Sequence, residues 1–422
     1  TFEGTSITLD AKAGVTVTTG EVALGTLHAN TNTVTSTFIG DFATSFASST
    51  AASTFTGAGT SIQTITGSGY ADTFNVGSTT AVTHVIAGGA GEDTINLTHA
   101  ADSTAEFGSI TAIQTFNLAI ASGADVAVNG AFAAGVDDIT VTGGNTTSTF
   151  TTATLAATVE TLDASGFSGN ILATVAADNL DSTVTFTGGD LATDKVSNTV
   201  ATAATTYALK STGVEILAID MNAAGSSTVS LAAATGLTSV TVDLAASATA
   251  AVTISNVGSE VITIVSAAGG DDTVEATLVS STGTADTVAF KSGATSTAGT
   301  QIKTTDIETV TIDSDIAVSY DLSLLSMATA GETMGLTVTG KTALTVTALG
   351  TDVNTIDASG MAVGGSFVQT GRTSAEIATY TGSAGTDTFM MQNKGDVLDG
   401  GAGLDTLDVN FTGILGGLSI DL

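Results

Sequence analysis

Three aspartates in the C-terminal part of the chain are spaced nine residues apart, and this spacing constrains the fold more than any other feature. Asp387, Asp396 and Asp405 each occupy the sixth position of a nine-residue unit, and the first and third units are rich in glycine. Tandem units of this kind are typical of a parallel β-roll, in which each unit forms one strand and one turn. Two units then complete one coil. We therefore expect Asp387 and Asp405 at one edge of the roll and Asp396 at the opposite edge.

The residue types in these units suit the coordination of Ca²⁺. Glycine permits positive φ angles and lets carbonyl oxygens approach an ion, and a carboxylate adds hard anionic oxygens to the roughly six to eight oxygen ligands of Ca²⁺. The apolar residue two positions after each aspartate (Phe389, Leu398 and Leu407) is expected to point into the roll. The predicted metal-binding residues of the tandem are Gly382, Gly385, Asp387, Gly395, Asp396, Asp399, Gly400, Gly401, Gly403 and Asp405.

Single units related to the tandem occur upstream. The segment 88–95 matches the pattern well, the segment 67–74 matches it loosely, and the segment 269–274 is a degenerate copy. Ordinary turns are the competing interpretation for these copies, because Gly and Asp favour turns for backbone reasons alone. The predicted metal-binding residues here are Gly67, Gly69, Asp72, Gly88, Gly89, Gly91, Asp93, Gly269, Gly270 and Asp272.

Strand-like alternation and an internal repeat run through the rest of the chain. Val240, Val242 and Leu244, for example, alternate with polar residues, as expected for short half-buried strands. A polar or acidic residue beside a short apolar strand recurs at spacings of 51, 46, 55, 45, 48 and 46 residues. The repeat positions are Gln63, Gln114, Glu160, Glu215, Glu260, Glu308 and Asn354. A period of this size is typical of a solenoid, and its drift implies loops of variable length.

These patterns predict the fold class and a provisional division of the chain. We expect an all-β, repeat-built β-solenoid or β-roll with parallel strands and calcium-binding Gly/Asp turns. The patterns also allow it to be combined with β-sandwich-like lobes. The predicted parts are 1–105, an N-terminal β lobe with degenerate turns; 106–320, central β repeats; and 321–422, a C-terminal β region ending in the nine-residue units.

Charge and composition exclude several classes of function. The 422-residue chain has 41 acidic and 8 basic side chains, a net charge of -33, and no Pro, Cys or Trp. Such a field repels phosphate, so we expect no nucleic-acid partner, and no apolar run is long enough for membrane insertion. The first residues, Thr1 to Gly4, include no initiator Met, which favours an internal or processed piece of a longer protein.

The nine-residue units resemble the haemolysin-type (RTX) calcium-binding repeats of secreted Gram-negative proteins. The Val-Glu-Thr-Leu units, set in Thr/Ala/Gly/Ser-rich sequence without Cys, are similar to those of RTX-type bacterial surface-layer (S-layer) proteins. The resemblance implies type I secretion in an unfolded state, folding in calcium outside the cell, and self-assembly into a lattice at the cell surface. Cell-surface polysaccharide, held through a region outside this chain, is a further candidate partner.

The sequence therefore favours a calcium-binding extracellular structural protein that is not an enzyme. Two alternatives stay open: a calcium-dependent adhesin or filament subunit, and a secreted enzyme with an RTX tail, such as a polysaccharide lyase. A lyase of this type would use a basic side chain beside the ion. Arg372 and Lys394 flank the first nine-residue units, but we interpret both as surface charges on turns.

Overall fold

The computed structural model describes most of the chain between residues 27 and 409. The described residues are 27–28, 33–36, 42–45, 52, 54–57, 63–78, 85–99, 103–106, 109–129, 135–152, 154–180, 184–244, 249–267, 272–281, 283–294, 296–372, 377–393 and 395–409. None of them lies in an α-helix, so within these ranges no helix could span a membrane. The predicted all-β class is confirmed.

The strands of the described residues are short and are numbered here in chain order. The first eighteen are β1 Leu27–His28, β2 Thr33–Ser36, β3 Phe42–Ser45, β4 Thr54–Gly57, β5 Gln63–Thr66, β6 Thr73–Ser78, β7 Val85–Ala87, β8 Thr94–His99, β9 Ser103–Glu106, β10 Ser109–Thr111, β11 Thr115–Ile120, β12 Val126–Asn129, β13 Asp138–Gly143, β14 Thr149–Thr152, β15 Thr161–Phe167, β16 Asn170–Val175, β17 Thr185–Thr187 and β18 Lys195–Val200. The rest are β19 Thr206–Thr212, β20 Ile216–Met221, β21 Gly225–Thr235, β22 Ser239–Leu244, β23 Ala250–Val257, β24 Val261–Ala267, β25 Thr273–Leu278, β26 Thr287–Ser292, β27 Ser296–Thr305, β28 Thr309–Ser314, β29 Val318–Ser326, β30 Met334–Gly340, β31 Ala343–Leu349, β32 Val353–Met361, β33 Ser366–Gln369, β34 Thr379–Thr381, β35 Thr388–Met391, β36 Val397–Asp399 and β37 Thr406–Val409.

The chain divides into two compact units. The first contains Thr1–Asn198, Lys210–Glu215 and Ala234–Gly236, and the second contains Thr199–Leu209, Ile216–Ala233 and Leu237–Leu422. The predicted boundaries at 105/106 and 320/321 stay predictions.

Each unit is a parallel β-solenoid. Its strands are of three kinds, named A, B and C here after the sheet to which they belong, and most coils contain two of them. In the first unit the B strands pair in the order β2, β4, β6, β8, β11, β13, β15, β17, β19. Between them lie the A strands, β1, β3, β5, β7 and β10, and the C strands, β9, β12, β14, β16 and β18. In the second unit the B strands are the odd-numbered strands from β21 to β37, and the C strands are the even-numbered strands from β20 to β36. All of these pairings are parallel, which confirms the predicted strand direction.

The core consists of apolar side chains that stack from coil to coil. Along the strands, buried residues alternate with partly exposed ones, as in β11 and β16, because successive side chains of a strand point to opposite faces. The parallel register places one inward residue of each coil next to its counterpart in the next coil. One such stack in the first unit is Phe55, Phe74, Ile95, Phe116, Ile139, Leu162 and Phe186, each no more than 1% exposed.

A polar ladder runs on the outer face of the same B strands. Asn96 Nδ2 donates a hydrogen bond of 2.7 Å to Asn75 Oδ1, and Asn117 Nδ2 donates one of 2.8 Å to Asn96 Oδ1. The three side chains are partly exposed and occupy equivalent positions in β6, β8 and β11. Each amide therefore favours the same register that the apolar stack inside favours.

The drift in the repeat spacing has a geometric cause that sequence analysis missed. We use B corner for the turn immediately before a B strand, and C corner for the turn before a C strand. Gln114 and Glu160 both lie at B corners, two coils and 46 residues apart. The spacings of 45, 48 and 46 residues from Glu215 to Asn354 likewise join positions at C strands.

The two largest spacings correspond to two coils and a further six residues, since two coils span 45 residues from Thr64 to Ser109 and 49 from Thr161 to Lys210. Gln63 begins an A strand whereas Gln114 lies at a B corner, 51 residues later. Glu160 lies at a B corner, but Glu215, 55 residues later, lies at a C corner. Glu215 accepts a hydrogen bond from the backbone N–H of Asp194, which lies at the preceding C corner, just before β18. Loop length also varies, since paired residues are 18 positions apart at Thr388 and Thr406 but 28 apart at Val261 and Ala289.

Truncating a residue of the apolar stack tests this packing. Phe116 is fully buried between Ile95 and Ile139, so we expect Phe116→Ala to lower the free energy of unfolding by about 3–5 kcal/mol through lost burial and a residual cavity. The neighbouring Thr115 is partly exposed, and Thr115→Ala should change it by no more than about 0.5 kcal/mol. Chemical denaturation measures both, and equal effects would contradict the assigned faces.

Candidate functional site

The carboxylate of Asp387 is buried at a B corner and accepts hydrogen bonds from two coils. Asp387 has no exposed surface. Oδ1 accepts a bond of 2.6 Å from the backbone N–H of Phe367 in the preceding coil, and Oδ2 accepts one of 2.6 Å from the N–H of Ser383 in its own turn. The Ser383 hydroxyl also donates to this carboxylate, at 3.0 Å from Oδ1. The aspartate therefore ties its turn to the coil before it.

The next coil continues the same arrangement. The backbone N–H of Asp387 donates to Oδ1 of Asp405 at 3.0 Å, and the N–H of Thr406 donates to the carbonyl of Asp387 at 2.8 Å. Asp405 thus lies one coil beyond Asp387 at the same edge, whereas Asp396 precedes β36 at a C corner. The predicted placement of the three aspartates is confirmed. Phe389 points into the core as predicted, whereas Leu398 and Leu407 remain partly exposed.

The upstream copies form the same kind of corner. Asp72 Oδ1 accepts a bond from the Ser68 hydroxyl at 3.0 Å, and its Oδ2 accepts one from the Ser68 N–H. The N–H of Asp72 donates to Asp93 Oδ1 at 2.7 Å, and the N–H of Asp93 donates to Gln114 Oε1 at 2.8 Å. The 21-residue offset between Asp72 and Asp93 is therefore one coil.

Asp272 repeats part of this pattern. It is fully buried, and its Oδ1 accepts a bond of 2.8 Å from the N–H of Ala250. Gly269 and Gly270 lie outside the described residues. At these corners one carboxylate spans two coils, which an ordinary local turn does not do.

Sequence analysis missed that the recurring acidic residue is a partner of these aspartates. The N–H of Asp194 donates to Glu215 Oε2 at 3.1 Å, just as the N–H of Asp93 donates to Gln114. In the second unit the N–H of Asp286 donates to Glu308 Oε2 at 2.8 Å. The offsets are 21, 21 and 22 residues. A search for acidic or amide residues one coil after each Gly-Asp turn would have found them.

Only some of the glycines are required by the backbone. Gly89 has a φ of 110°, and a Cβ placed there would overlap the carbonyl oxygen of Ser68 in the preceding coil. Gly403 has a φ of 134°, and its Cβ would overlap the carbonyl oxygen of Gly385. At Gly69, by contrast, a Cβ meets no atom within 4 Å. Close stacking of the turns therefore selects glycine at the first two positions and not at the third.

Burial raises the pKa of Asp93 from its ordinary value of 3.8 to about 6. The hydrogen bond from the backbone of Asp72 opposes this shift, and the negative charges of Asp72 and Glu92 add to it. Asp93 Oδ2 is buried without a hydrogen-bond partner. Burial likewise raises the pKa of Asp194 and of Glu215. These corners therefore favour a bound proton or cation over a bare carboxylate.

The fit of these corners to calcium can be judged from their oxygen atoms. Within the described ranges no three His, Asp or Glu side chains form a ready ligand group. The buried Oδ2 of Asp93 nevertheless needs a partner, and hard oxygen ligands suit Ca²⁺. At the Asp387 corner each carboxylate oxygen accepts one N–H bond and has a second acceptor position, which the two oxygens share for the Ser383 hydroxyl, so an ion there would displace the hydroxyl proton and leave both N–H bonds in place.

Asp396 and Arg372 correct one interpretation made from the sequence. Arg372 was expected to be a surface charge, but it is only 4% exposed. Its Nη1 lies 2.9 Å from Asp396 Oδ2, and both side chains are fully buried. Asp399 is exposed and accepts a bond of 3.1 Å from the N–H of Gly401. Lys394 lies outside the described residues.

Comparison of the chain with family models, with curated proteins and with solved structures found no match.

Replacing a stacked glycine tests the corner geometry. Gly89→Ala is expected to lower the free energy of unfolding by about 1–3 kcal/mol or more, because its backbone conformation and the Ser68 carbonyl both disfavour a side chain. Gly69→Ala, in the preceding turn, should have a much smaller effect. Thermal and chemical denaturation of the two variants measure this contrast, and similar losses would show that the turns do not stack in this way.

The raised pKa of Asp93 predicts a pH dependence of stability in metal-free buffer. Its folded-state pKa of about 6 exceeds the ordinary 3.8, so the stability that it contributes is present below pH 3.8 and is lost as the pH rises through 6. We expect Asp93→Asn to flatten this decline between pH 4 and pH 7 in denaturant titrations. Asp399→Asn, at an exposed turn, should keep the decline of the parent protein. A decline unchanged in Asp93→Asn would refute the assignment.

Proposed function

We propose that this protein is a calcium-binding structural protein of the bacterial cell surface that self-assembles into an S-layer lattice. In this proposal Ca²⁺ clamps the Gly-Asp B corners of the solenoid and bridges the acidic surfaces of neighbouring copies. The protein reaches the cell surface by type I secretion, as members of the RTX class are expected to do. Cell-surface polysaccharide, bound through a region outside this chain, is the proposed anchor.

The stacking of Asp387 over Asp405 is the observation that carries the proposal. The carboxylate of Asp405 accepts a bond from the backbone N–H of Asp387, so acidic residues of consecutive coils follow each other at one corner, with Asp387 buried and Asp405 exposed. Among the described residues no cationic side chain forms a salt bridge with either of them. A divalent cation would offset the repulsion between these two negative residues of one corner.

The net charge of -33 supports both parts of the proposal. Self-repulsion disfavours the compact state and keeps copies apart while calcium is scarce. Extracellular sites with dissociation constants of about 10⁻⁴–10⁻³ M would fill outside the cell, and ions that bind only the folded form stabilise it by mass action.

The direct test is a calcium titration of chelated protein, followed by far-UV circular dichroism, light scattering and electron microscopy. We expect ordered β structure and growing particles in the millimolar range, and two-dimensional sheets rather than filaments. Replacing Asp387 and Asp405 together by Asn should raise the calcium concentration at the midpoint by about threefold or more, since two ligands are neutralised. Asp357→Asn, outside the Gly-Asp corners, is the matched control.

Three outcomes would overturn the proposal. One is structure and particle size that do not respond to calcium. Another is arrays that persist after exhaustive chelation. The last is an Asp387/Asp405 variant that titrates like Asp357→Asn. Filaments in place of sheets would instead favour the filament subunit.

A further inference from the structure

The C corner of Asp396 differs from the B corner of Asp387 because it already contains a positive charge. Arg372 is the only arginine of the chain, and it lies 24 residues before Asp396, on the preceding coil. Its guanidinium donates to Asp396 Oδ2 at 2.9 Å, and neither side chain has exposed surface. A charged group this well buried is stable only when it is paired and hydrogen-bonded.

Asp396 is fully satisfied by its surroundings. Oδ1 accepts a bond of 2.8 Å from the N–H of Ala378. Oδ2 accepts the guanidinium bond and two bonds from its own turn, from the N–H of Gln392 at 3.1 Å and of Asn393 at 3.0 Å. Its two oxygens thus have four donors, and one of them carries a full positive charge.

Arg372 is itself held from both sides. The Gln392 side chain donates to the carbonyl of Arg372 at 2.6 Å. The turn that contains Asp396 therefore both accepts a bond from Arg372 and donates one to it. The guanidinium lies 5.8 Å from the centre of the Tyr380 ring, a distance at which a cation and an aromatic face attract. The Tyr380 hydroxyl donates to the carbonyl of Met390 at 3.3 Å, so the ring under the cation is fixed as well.

We propose that Arg372 takes the place of a metal ion at the Asp396 corner, so that this corner is closed without calcium. The inference rests on the proposed function only in taking calcium as the ion of the opposite corner, at Asp387 and Asp405. Asp396, which the sequence predicted as a metal ligand, is then a partner of an internal cation. In the last described coils, the corner of Arg372 and Asp396 is then stable in low calcium, whereas the corner of Asp387 and Asp405 is stabilised only when calcium binds.

Hydrogen–deuterium exchange of the wild-type chain, in EGTA and in millimolar calcium, tests this asymmetry without any substitution. The reporters at the Arg372 corner are the amides of Ala378, Gln392 and Asn393, and those at the opposite corner are the amides of Phe367, Ser383 and Asp387. We expect the first set to exchange at similar rates in both buffers, and the second set to slow by about tenfold or more with calcium. A comparable calcium-dependent slowing of the first set would overturn the proposal.

Variants separate charge compensation from simple packing. Arg372→Gln leaves the buried Asp396 carboxylate without its cation, so the first set of amides should exchange about tenfold or more faster in EGTA, and calcium should restore part of the protection. Adding Asp396→Asn to Arg372→Gln removes the uncompensated charge and should recover protection without calcium. The control is Lys341→Gln, since Lys341 is mostly exposed and pairs with Asp315 at 3.7 Å.

The outcomes distinguish this inference from the proposed function. If calcium does not change the exchange rates of the second set, at the Asp387 corner, while the first set, at the Arg372 corner, is protected in EGTA, the proposed function fails and the role of Arg372 stands. If calcium slows exchange of the second set, but the first set exchanges in Arg372→Gln at the same rate as in Lys341→Gln, the inference fails and the proposed function stands. A double variant no better protected than Arg372→Gln would also overturn it, because loss of packing would then explain the effect.

Discussion

The acceptors for backbone N–H groups at the corners of the coils are the constraint on which the rest of this structure depends. Within a parallel strand each N–H finds a carbonyl of the neighbouring coil, but at a turn this ladder is interrupted, and a buried N–H without an acceptor is costly. The chain supplies the acceptor from a side chain in the next coil: Asp93 for Asp72, Asp405 for Asp387, and Glu215 for Asp194. The recurrence of an acidic residue one coil after each of these aspartates follows from this device.

A carboxylate acceptor satisfies the backbone N–H, but carboxylates repeated from coil to coil accumulate negative charge along a corner. The structure shows three different responses to that charge. At Asp93 the next partner is the neutral amide of Gln114, and the pKa of Asp93 itself is raised by burial. At Asp396 a guanidinium supplies the positive charge. At Asp387 and Asp405, as at Asp72 and Asp93, two acidic residues of consecutive coils follow each other directly, and an external cation would stabilise these pairs most.

Much of the architecture could be predicted from the sequence because the spacing of nine residues leaves little freedom. Two such units make one coil, so Asp387 and Asp405 had to share an edge, and the nine-residue units correctly indicated parallel strands, whereas alternation indicated that the strands are short. The repeat of 45–55 residues was harder, because it hides a change from B corners to C corners between Glu160 and Glu215. A period longer than one coil does not reveal which edge each copy occupies.

The corner chemistry was less accessible from the sequence. Residue types predicted oxygen-rich turns, but not that the carboxylates of Asp72 and Asp387 would point inward to backbone N–H groups, because side-chain direction depends on the stacking of separate coils. The burial of Arg372 was missed for a similar reason. Its 24-residue offset from Asp396 becomes meaningful only when the length of the intervening coil is known. Gly69 and Gly89 likewise both belong to Gly-Asp turns, yet only Gly89 is packed against the preceding turn.

Anomalous diffraction from crystals grown with ample calcium tests the central claim most directly, since it locates each ion against named oxygen atoms. The account predicts metal peaks at the B corner formed by Asp387 and Asp405 and beside Oδ2 of Asp93, and no peak between Arg372 and Asp396. Empty B corners in calcium-saturated crystals would contradict it, as would an ion coordinated by Asp396 with Arg372 displaced.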